Sequence, residues 1–481
     1  MNNSKNVIVN FIWRFAERVG AQLVAFVVSI VLARLLSPDD YGTIALVTVF
    51  TSLLNVFVDS GLGTALIQKK DADDLDFSTV FYTNMAMCSL LYALMFALAP
   101  FIAEFYGRTD LVPVIRVLSL TLVISGLKNV QQAYVSRNMI FKRFFFATLG
   151  GTIGAAIIGI SMAYMGLGVW ALVAQQLFNA TVDTLILWIT VKWRPKKLFS
   201  FDRLKGLFGY GWKLLASAIL ETGYNELSQL IIGKKYSTSD LAYYNQGDKF
   251  PKLVVNNINS SVNSVLLPTL SKEQDDKERV KNMTRRAIKT SVFIMAPLMM
   301  GLAATSREVV LLLLTEKWLP CVPFLCVFCV SYMFWPIHTV NLNAIKAMGR
   351  SDLFLRLEII KKVVGIIIIL ITMNISVWAM CVGLMIEGFI SQAINSWPNK
   401  ELLDYGYIEQ MKDILPGIIL AVVMAGIVYL VGWVNVPVIA RLVLQVIVGA
   451  LVYITGAKLF KMESYTYIMG MVMPYLKKIR R

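Results

Sequence analysis

Apolar runs long enough to form membrane helices recur along the whole chain, separated by short polar segments. As a helix, each run of about twenty residues can cross the ~30 Å hydrocarbon core of a bilayer. Hydrophobic residues make up 57% of the 481 positions, above the ~45–50% typical of soluble domains. The pattern predicts an all-α polytopic membrane protein with about 14 transmembrane helices. The predicted spans lie near residues 8–35, 41–65, 78–104, 111–134, 144–166, 169–191, 207–233, 240–270, 287–313, 321–346, 353–373, 376–396, 413–433 and 437–458.

The segments between the spans alternate in charge. Most Lys and Arg residues lie in one alternate set, which includes residues 192–205 and 272–289 and which we call the basic segments. By the positive-inside rule these segments and both termini face the cytoplasm, so the net charge of +16 indicates topology rather than nucleic-acid binding. The cation-poor segments are residues 36–40, 105–110, 166–168, 234–239, 314–320, 374–375 and 434–436, and their cations are Arg108, Lys234, Lys235 and Lys317.

The first span carries charges that a lipid-facing helix avoids. Arg14, Glu17 and Arg18 lie in its first half, and with Asn10 and Gln22 they fall at steps of three and four residues. That spacing places all five on one helical face. Because a charge at mid-membrane costs about 2.5–3.5 kcal/mol, we expect this face to contact protein or water. Two simpler interpretations stay open, in which Arg14 snorkels to the membrane surface or Arg18 pairs with Glu17.

The chain also repeats itself. The segment Leu167-Gly-Val-Trp-Ala-Leu resembles Ile375-Ser-Val-Trp-Ala-Met, 208 residues later. At an offset of 199, Arg14 corresponds to Lys213, and Gln22 corresponds to Glu221. Since six spans separate the copies, they keep the same orientation in the membrane, which predicts two parallel six-helix bundles around a central cavity. We assign residues 1–200 and 201–400 to the bundles, and residues 401–481 to two additional C-terminal helices and a basic cytoplasmic tail.

Polar faces also occur in the second, seventh and eighth spans. Asp59 ends such a face in the second span, and Lys213 and Glu221 share one in the seventh. In the eighth span Lys249 precedes a stretch rich in Asn and Ser. These faces are explained either by hydrogen bonds between helices or by a wet cavity between the two bundles. The cavity explains all of the faces at once, and we favour it.

Such a cavity suits an anionic, hydroxyl-rich amphiphile. Lysine and arginine attract phosphate, whereas Asn and Ser offer the donors and acceptors that sugar hydroxyls need. A carrier of drugs or cations would instead favour acidic cavity residues. The hypothesis assigns Arg14, Arg18, Lys213 and Lys249 to phosphate, Asn256, Ser260 and Asn263 to sugar, and Glu17, Asp59 and Glu221 to ion coupling.

Two short motifs match chemical sites by spacing alone. Cys321, Cys326 and Cys329 have the C-x4-C-x2-C spacing of some iron–sulfur sites, but a cluster needs a fourth ligand, so we predict buried thiols. The segment Asp71-Ala-Asp73 resembles a metal-binding DxD motif, but it lies in a short charged segment, which favours a solvated loop. We therefore predict no disulfide framework, no metal, no cofactor and no enzymatic activity.

Five short segments, which occur in one order along residues 8–400, are similar to those of a known family. They are Ala33-Arg-Leu-Leu-Ser-Pro-Asp-Asp-Tyr-Gly-Thr-Ile-Ala-Leu, Asp59-Ser-Gly-Leu-Gly-Thr-Ala-Leu-Ile-Gln, Gly168-Val-Trp-Ala-Leu, Leu241-Ala-Tyr-Tyr-Asn and Lys317-Trp-Leu-Pro. Together they resemble Wzx-type flippases of the multidrug/oligosaccharidyl-lipid/polysaccharide exporter superfamily, nearest its teichuronic acid and colanic acid exporters.

The resemblance implies two six-helix bundles around a central cavity, plus two extra helices, in a bacterial inner membrane. It also implies that an undecaprenyl-diphosphate-linked oligosaccharide moves from the cytoplasmic to the outer leaflet by alternating access, for cell-surface polysaccharide biosynthesis. Arginines of the first span line the cavity in related flippases, which supports Arg14 and Arg18. The partners implied are this substrate and membrane lipids, with the polysaccharide polymerase and chain-length machinery as further candidates and no nucleic acid.

Other functions stay open at this point. An ion-coupled drug/cation antiporter of the same superfamily is the nearest alternative, although Arg and Lys outnumber acids on the polar faces described above. A membrane glycosyltransferase or polymerase is a second alternative, although such enzymes tend to need a sizeable outer loop, and no cation-poor segment exceeds about ten residues. A lipid scramblase or an assembly scaffold is a third.

Overall fold

Helices form every regular element of the described chain, which confirms the predicted all-α class. The computed structural model describes residues 20–59 and 61–479. The helices are α1 (Gly20–Leu35 in its described part), α2 (Pro38–Asp59), α3 (Leu62–Gln68), α4 (Asp74–Tyr106), α5 (Leu111–Leu118), α6 (Leu120–Arg137), α7 (Lys142–Tyr164), α8 (Val169–Thr190), α9 (Phe201–Lys235), α10 (Thr238–Lys272), α11 (Lys277–Ala304), α12 (Ser306–Leu313), a 3-10 helix (Glu316–Cys321), α13 (Val322–Met333), α14 (Trp335–Ala347), α15 (Ser351–Thr372), α16 (Val377–Leu403), α17 (Tyr407–Val431), α18 (Val438–Leu459) and α19 (Glu463–Ile479).

Ten helical segments of the described chain are long and apolar enough to span a membrane. They coincide with ten of the predicted spans, from Pro38–Gln68 to Val438–Leu459. Three further spans coincide with α9, α10 and α15, of which α9 and α10 are less apolar and α15 is interrupted by charged residues. The protein is therefore a multi-pass membrane protein, and the count of fourteen spans stays a prediction.

The chain divides into two compact units between Ala242 and Tyr243. Unit 1 contains α9, which packs against α2, α3 and α4. Unit 2 contains α11 to α19, and α10 begins in unit 1 and continues into unit 2. The predicted division at residues 200 and 400 stays a prediction.

Helix starts 200 residues apart are capped in the same way. Before α2, Asp40 accepts hydrogen bonds from the backbone and hydroxyl of Ser37, and the Ser37 hydroxyl accepts one from the Asp40 backbone. At the start of α10, Ser237 and Asp240 form the same three bonds. Reciprocal capping of this kind satisfies backbone donors that a helix start would otherwise leave bare. The same local motif therefore recurs at an interval of 200 residues, while the internal repeat of whole bundles stays a prediction.

Each unit also contains a broken span that is followed by two unbroken helices. Helices α5 and α6 meet at Ser119, and α13 and α14 meet at Phe334. In the second case Pro336 accounts for the break, because proline lacks the N–H that would continue the helix. Two unbroken helices follow each broken span, α7 and α8 in one unit and α15 and α16 in the other.

Arg108 fastens the cation-poor segments of unit 1 to one another. Its guanidinium contacts Asp39 at 3.0 Å and Asp110 at 2.5 Å, and it donates to the hydroxyl of Thr238 at 3.0 Å. The hydrogen bonds from Arg108 hold the pKa of Asp110 below its usual value. Lys234 similarly binds a carbonyl and an aromatic ring at the end of α4. Two of the few cations predicted here therefore join helix ends, and we call the first of these clusters the Arg108 pin.

Acidic residues organise the opposite, basic side of unit 1. Asp73, the second carboxylate of the DxD-like motif, caps α4 by accepting from the Asp76 backbone at 2.9 Å. Asp76 binds Lys69 at 2.6 Å, and Asp74 binds Lys196 of the basic segment at 2.5 Å. These carboxylates are engaged in capping and ion pairs, and no group of His, Cys, Asp or Glu among the described residues is arranged to hold a metal.

The five cysteines are free thiols. Cys321 and Cys329 are buried, and Cys326 is half-buried with its sulfur 3.5 Å from the Ser306 hydroxyl. Their positions inside packed helices match the interpretation of the C-x4-C-x2-C spacing as core thiols.

Gly42 allows α2 to pack directly against the first turn of α10. A Cβ atom added at Gly42 would overlap the carbonyl oxygen of Thr238. A Cβ added at Gly223 of α9 would lie 4.0 Å from its nearest neighbour on α2, Leu53. The close approach of the two helices at Gly42 places the Thr238 hydroxyl where the Arg108 guanidinium can donate to it.

We expect Gly42→Ala to destabilise the protein, because the added methyl group must push two backbones apart, at a cost of about 1–3 kcal/mol. Thermal unfolding of the detergent-purified protein measures this loss. Gly223→Ala, the matched control, should unfold at or above the wild-type temperature, since alanine favours a helix and meets ordinary contacts. Equal melting temperatures for the two variants would contradict the assigned packing.

Candidate functional site

The predicted residues of the first span cannot be placed. Arg14, Glu17 and Arg18 lie outside the described residues. Asp59 ends α2 and Lys213 lies within α9, but the structure describes the backbone of these two and not their side chains. Their assigned roles in phosphate binding and ion coupling therefore stay predictions.

The predicted sugar-binding residues lie on exposed positions of α10. Asn256, Ser260 and Asn263 follow one another at steps of three and four residues, so they share one face of the helix. Asn263 accepts a hydrogen bond from Asn343 of α14 at 2.6 Å, which orients its amide. The Ser260 hydroxyl donates to a backbone carbonyl within the helix at 3.1 Å and keeps its oxygen as an acceptor. We call the three residues the α10 polar face.

Lys249 lies on α10 two turns before Asn256, a rise of about 10 Å. Its side chain is half-buried. Among the described residues it forms no ion pair. Its neighbour Asp248 is engaged elsewhere, because it binds Lys252 at 3.0 Å and accepts a hydrogen bond from the hydroxyl of Tyr332. The described part of unit 2 therefore offers an ammonium group without a counter-ion, followed by a face of amides and hydroxyls.

In unit 1, α9 carries an exposed carboxylate and a carboxylate that contacts α2. Glu221, the predicted coupling residue, is exposed and accepts from Asn225 at 3.3 Å. Glu226, which the spacing argument missed, accepts from Ser52 of α2 at 3.2 Å and from Gln229 at 2.6 Å. Its position within a predicted span could have revealed Glu226, because an acid inside a membrane helix needs a hydrogen-bond or ionic partner.

The sequence profile of a family described as polysaccharide biosynthesis protein matches residues 31–323, more than half of the chain. The chain belongs to this family. The match covers the whole of α2 to α12 and therefore includes the α10 polar face.

Curated relatives are consistent with the family. The chain is 25% identical to the succinoglycan biosynthesis transport protein ExoT of Rhizobium meliloti over 68% of its own length and 67% of the relative's length. It is 25% identical to the teichuronic acid biosynthesis protein TuaB of Bacillus subtilis over 63% of each chain. It is 23% identical to the lipopolysaccharide biosynthesis protein WzxC of Escherichia coli over 69% of this chain and 68% of that one.

Solved structures establish the kind of fold that this family member has. The lipid II flippase MurJ in an inward closed conformation matches with a TM-score of 0.75 at 16% identity, and the match covers 94% of this chain and 98% of that chain. An inward-facing multidrug resistance MATE family transporter of the MOP superfamily matches with a TM-score of 0.63 at 15% identity, over 80% of this chain and 94% of the other. The chain thus shares the fold of these two proteins, which agrees with the fold that the sequence motifs imply.

Two further lysines of this family member, Lys128 and Lys361, are paired with acids of their own units. Lys128 of α6 binds Asp183 of α8 at 3.0 Å, with 20% and 14% of the two side chains exposed. In unit 2, Lys361 binds Glu358 at 2.5 Å within α15. Sequence reasoning did not pair Lys128 with Asp183. The sequence does place a lysine and an aspartate in two predicted spans, but opposite charges alone do not show which acid pairs with which base.

We expect Lys128→Ala to lower the free energy of unfolding by about 3 kcal/mol, because it leaves the Asp183 carboxylate buried without a partner. The double variant Lys128→Met/Asp183→Leu removes both charges and should recover most of the loss. Thermal unfolding in detergent is the measurement.

Lys196 provides the control, since its pair with Asp74 is exposed and Lys196→Ala should cost less than about 1 kcal/mol. An equal loss in Lys128→Ala and Lys196→Ala would argue against a buried pair.

Proposed function

We propose that the protein is a flippase that moves an undecaprenyl-diphosphate-linked oligosaccharide from the cytoplasmic to the outer leaflet by alternating access. Membership of the polysaccharide biosynthesis protein family supports a role in making cell-surface polysaccharide. Similarity to a succinoglycan biosynthesis transport protein and the fold shared with a lipid II flippase support a lipid-linked sugar as the cargo. The observation that carries the proposal is Lys249 beside the α10 polar face.

The ammonium group of Lys249 is costly to place within a membrane unless an anion binds it. A lysine at the centre of a membrane helix costs about 2.5–3.5 kcal/mol on insertion scales, and an ion pair would offset part of that cost. None of the described residues supplies such a pair for Lys249. A phosphate group of the substrate can supply the missing charge, as a charge-assisted hydrogen bond to an ammonium is among the stronger contacts in proteins.

The α10 polar face then provides contacts for the sugar. Amides have both donors and acceptors, and hydroxyl groups have both in one atom, so Asn256, Ser260 and Asn263 match the mixed hydrogen bonding of a glycan. Two helical turns between Lys249 and Asn256 separate the charged and uncharged contacts by about 10 Å. A substrate with a diphosphate at one end and sugars beyond it fits this order.

Further residues are proposed to bind phosphate or to couple transport to an ion. Arg14, Arg18 and Lys213 are further phosphate-attracting groups, and Glu17, Asp59 and Glu221 are candidates for ion coupling. The chain lies in the bacterial inner membrane with both termini in the cytoplasm, as the basic segments indicate. Transport of this kind makes and breaks no bond of the substrate, so the proposal involves no catalytic residue and no cofactor. The polysaccharide polymerase and chain-length machinery are candidate partners.

An ion-coupled drug/cation antiporter is the second candidate, because a multidrug transporter shares the fold. The two functions are separated by reconstituting the protein into liposomes with either a defined lipid-linked oligosaccharide or a cationic dye. Movement of the oligosaccharide between leaflets, with and without an imposed ion gradient, supports the flippase and reports whether an ion drives it. Export of the dye alone would reject the flippase.

We expect Lys249→Gln to lower the rate of oligosaccharide movement at least tenfold, because the phosphate loses its cation. Lys249→Arg keeps the charge and should retain most of the rate. Lys272→Ala is the matched control, as it removes an exposed lysine from the last turn of the same helix. Wild-type movement by folded Lys249→Gln protein would remove the basis of the phosphate assignment.

We expect Asn256→Leu/Ser260→Ala to reduce movement of the oligosaccharide while movement of a carrier with a single sugar changes less. The reason is that the lost hydrogen bonds serve sugars beyond the diphosphate. Ser264→Ala removes an exposed hydroxyl one turn further along α10 and serves as the control. Equal losses for the long and the short substrate would place these residues outside the sugar site.

A further inference from the structure

An apolar groove opens on the surface of unit 2, away from the residues assigned to transport. It has a volume of about 670 Å³ and is formed by α11, by the first half of α17 and by the turn between α18 and α19. Phe293 and Phe460 form part of its walls. Leu415, Ile419 and Val423 follow one another along α17 at steps of four residues, and about half of each side chain is exposed. Their stripe extends for about 12 Å along the helix.

The groove ends among charged residues of the basic segments. Lys289 binds Glu463 and lies 4.0 Å from Asp413, which itself binds Arg285 at 2.7 Å. Lys412 also lines this end, and it is exposed and forms no ion pair with any described residue. The groove therefore has an apolar length and one lysine whose charge is not neutralised locally.

Neighbouring charges keep this end of the groove positive. Four cations lie around it, while Asp413, Glu463 and, one turn away, Glu409 provide three negative charges. The cations are Arg285, Arg286, Lys289 and Lys412. Arg286 also rests over the ring of Tyr467 in α19, at 4.9 Å from the ring centre, so α19 is tied to the same cluster.

We propose that this groove binds an anionic glycerophospholipid of the surrounding membrane, with its phosphate beside Lys412 and an acyl chain along the α17 stripe. Basic pockets between helices on the cytoplasmic side are suited to lipid headgroups. A phosphodiester carries one negative charge, which a single unpaired lysine matches. The described lining is mainly apolar and contains no amide side chain for a sugar, which favours a membrane phospholipid over the lipid-linked substrate. The site is independent of the proposed transport role.

Native mass spectrometry of the full-length protein in detergent tests the proposal. The protein is mixed with phosphatidylglycerol and phosphatidylcholine of identical acyl chains, and the ratio of the two retained lipids is measured. We expect wild type to retain phosphatidylglycerol preferentially. The ratio should fall about fivefold in Lys412→Ala, the factor expected for one lysine beside an anionic headgroup. Lys272→Ala, an exposed lysine outside the groove, should keep the wild-type ratio.

A second variant tests the apolar part of the groove. Ile419→Trp fills the groove and should lower retention of both lipids, whereas Leu430→Trp, at an exposed position near the other end of α17, should not. Equal retention of the two lipids by wild type, or equal falls in Lys412→Ala and Lys272→Ala, would overturn the proposal. Displacement of phosphatidylglycerol by undecaprenyl phosphate would instead assign the groove to the substrate carrier. Displacement by inorganic phosphate would assign it to a free anion.

Discussion

A charged side chain within a bilayer has no bulk water to solvate it, and the arrangement of charges in this protein follows from that shortage. Lys128 and Asp183 satisfy each other across two helices of unit 1, and Lys361 and Glu358 do so within one helix of unit 2. Lys249 has no such partner among the described residues. The same physical requirement therefore distinguishes the paired charges from Lys249, which we propose is available to a ligand.

Hydropathy was sufficient to predict most of the fold. A membrane helix satisfies its backbone hydrogen bonds internally and presents apolar side chains to lipid. The length and composition of a span can therefore be recognised in the sequence without knowledge of its neighbours. Ten predicted spans coincide with apolar helices, and most segments between the predicted spans lie at or near helix ends, although residues 277–289 form the start of α11. Helices α9 and α10 are less apolar because polar residues cover a face of each, which is the property that also made them candidates for the site.

The site was less predictable, because helical spacing shows which residues share a face but not what that face contacts. Asn256, Ser260 and Asn263 do share an exposed face of α10. The hydrogen bond from Asn343 to Asn263 joins residues 80 positions apart, and no local pattern indicates it. Glu226 was missed for a related reason, since its partner Ser52 lies 174 positions away. The roles assigned to the first-span cations, to Asp59 and to Lys213 stay predictions.

The two capping motifs and the Arg108 pin differ in how far apart their residues lie along the chain, and this difference orders their formation. Ser37 and Asp40, like Ser237 and Asp240, are three positions apart, so each cap can form as soon as its own turn has been synthesised. The Arg108 pin includes Thr238, 130 positions away. It can close only after Thr238 has been synthesised, so the Ser37–Asp40 cap can form in a growing chain while Arg108 still lacks this partner.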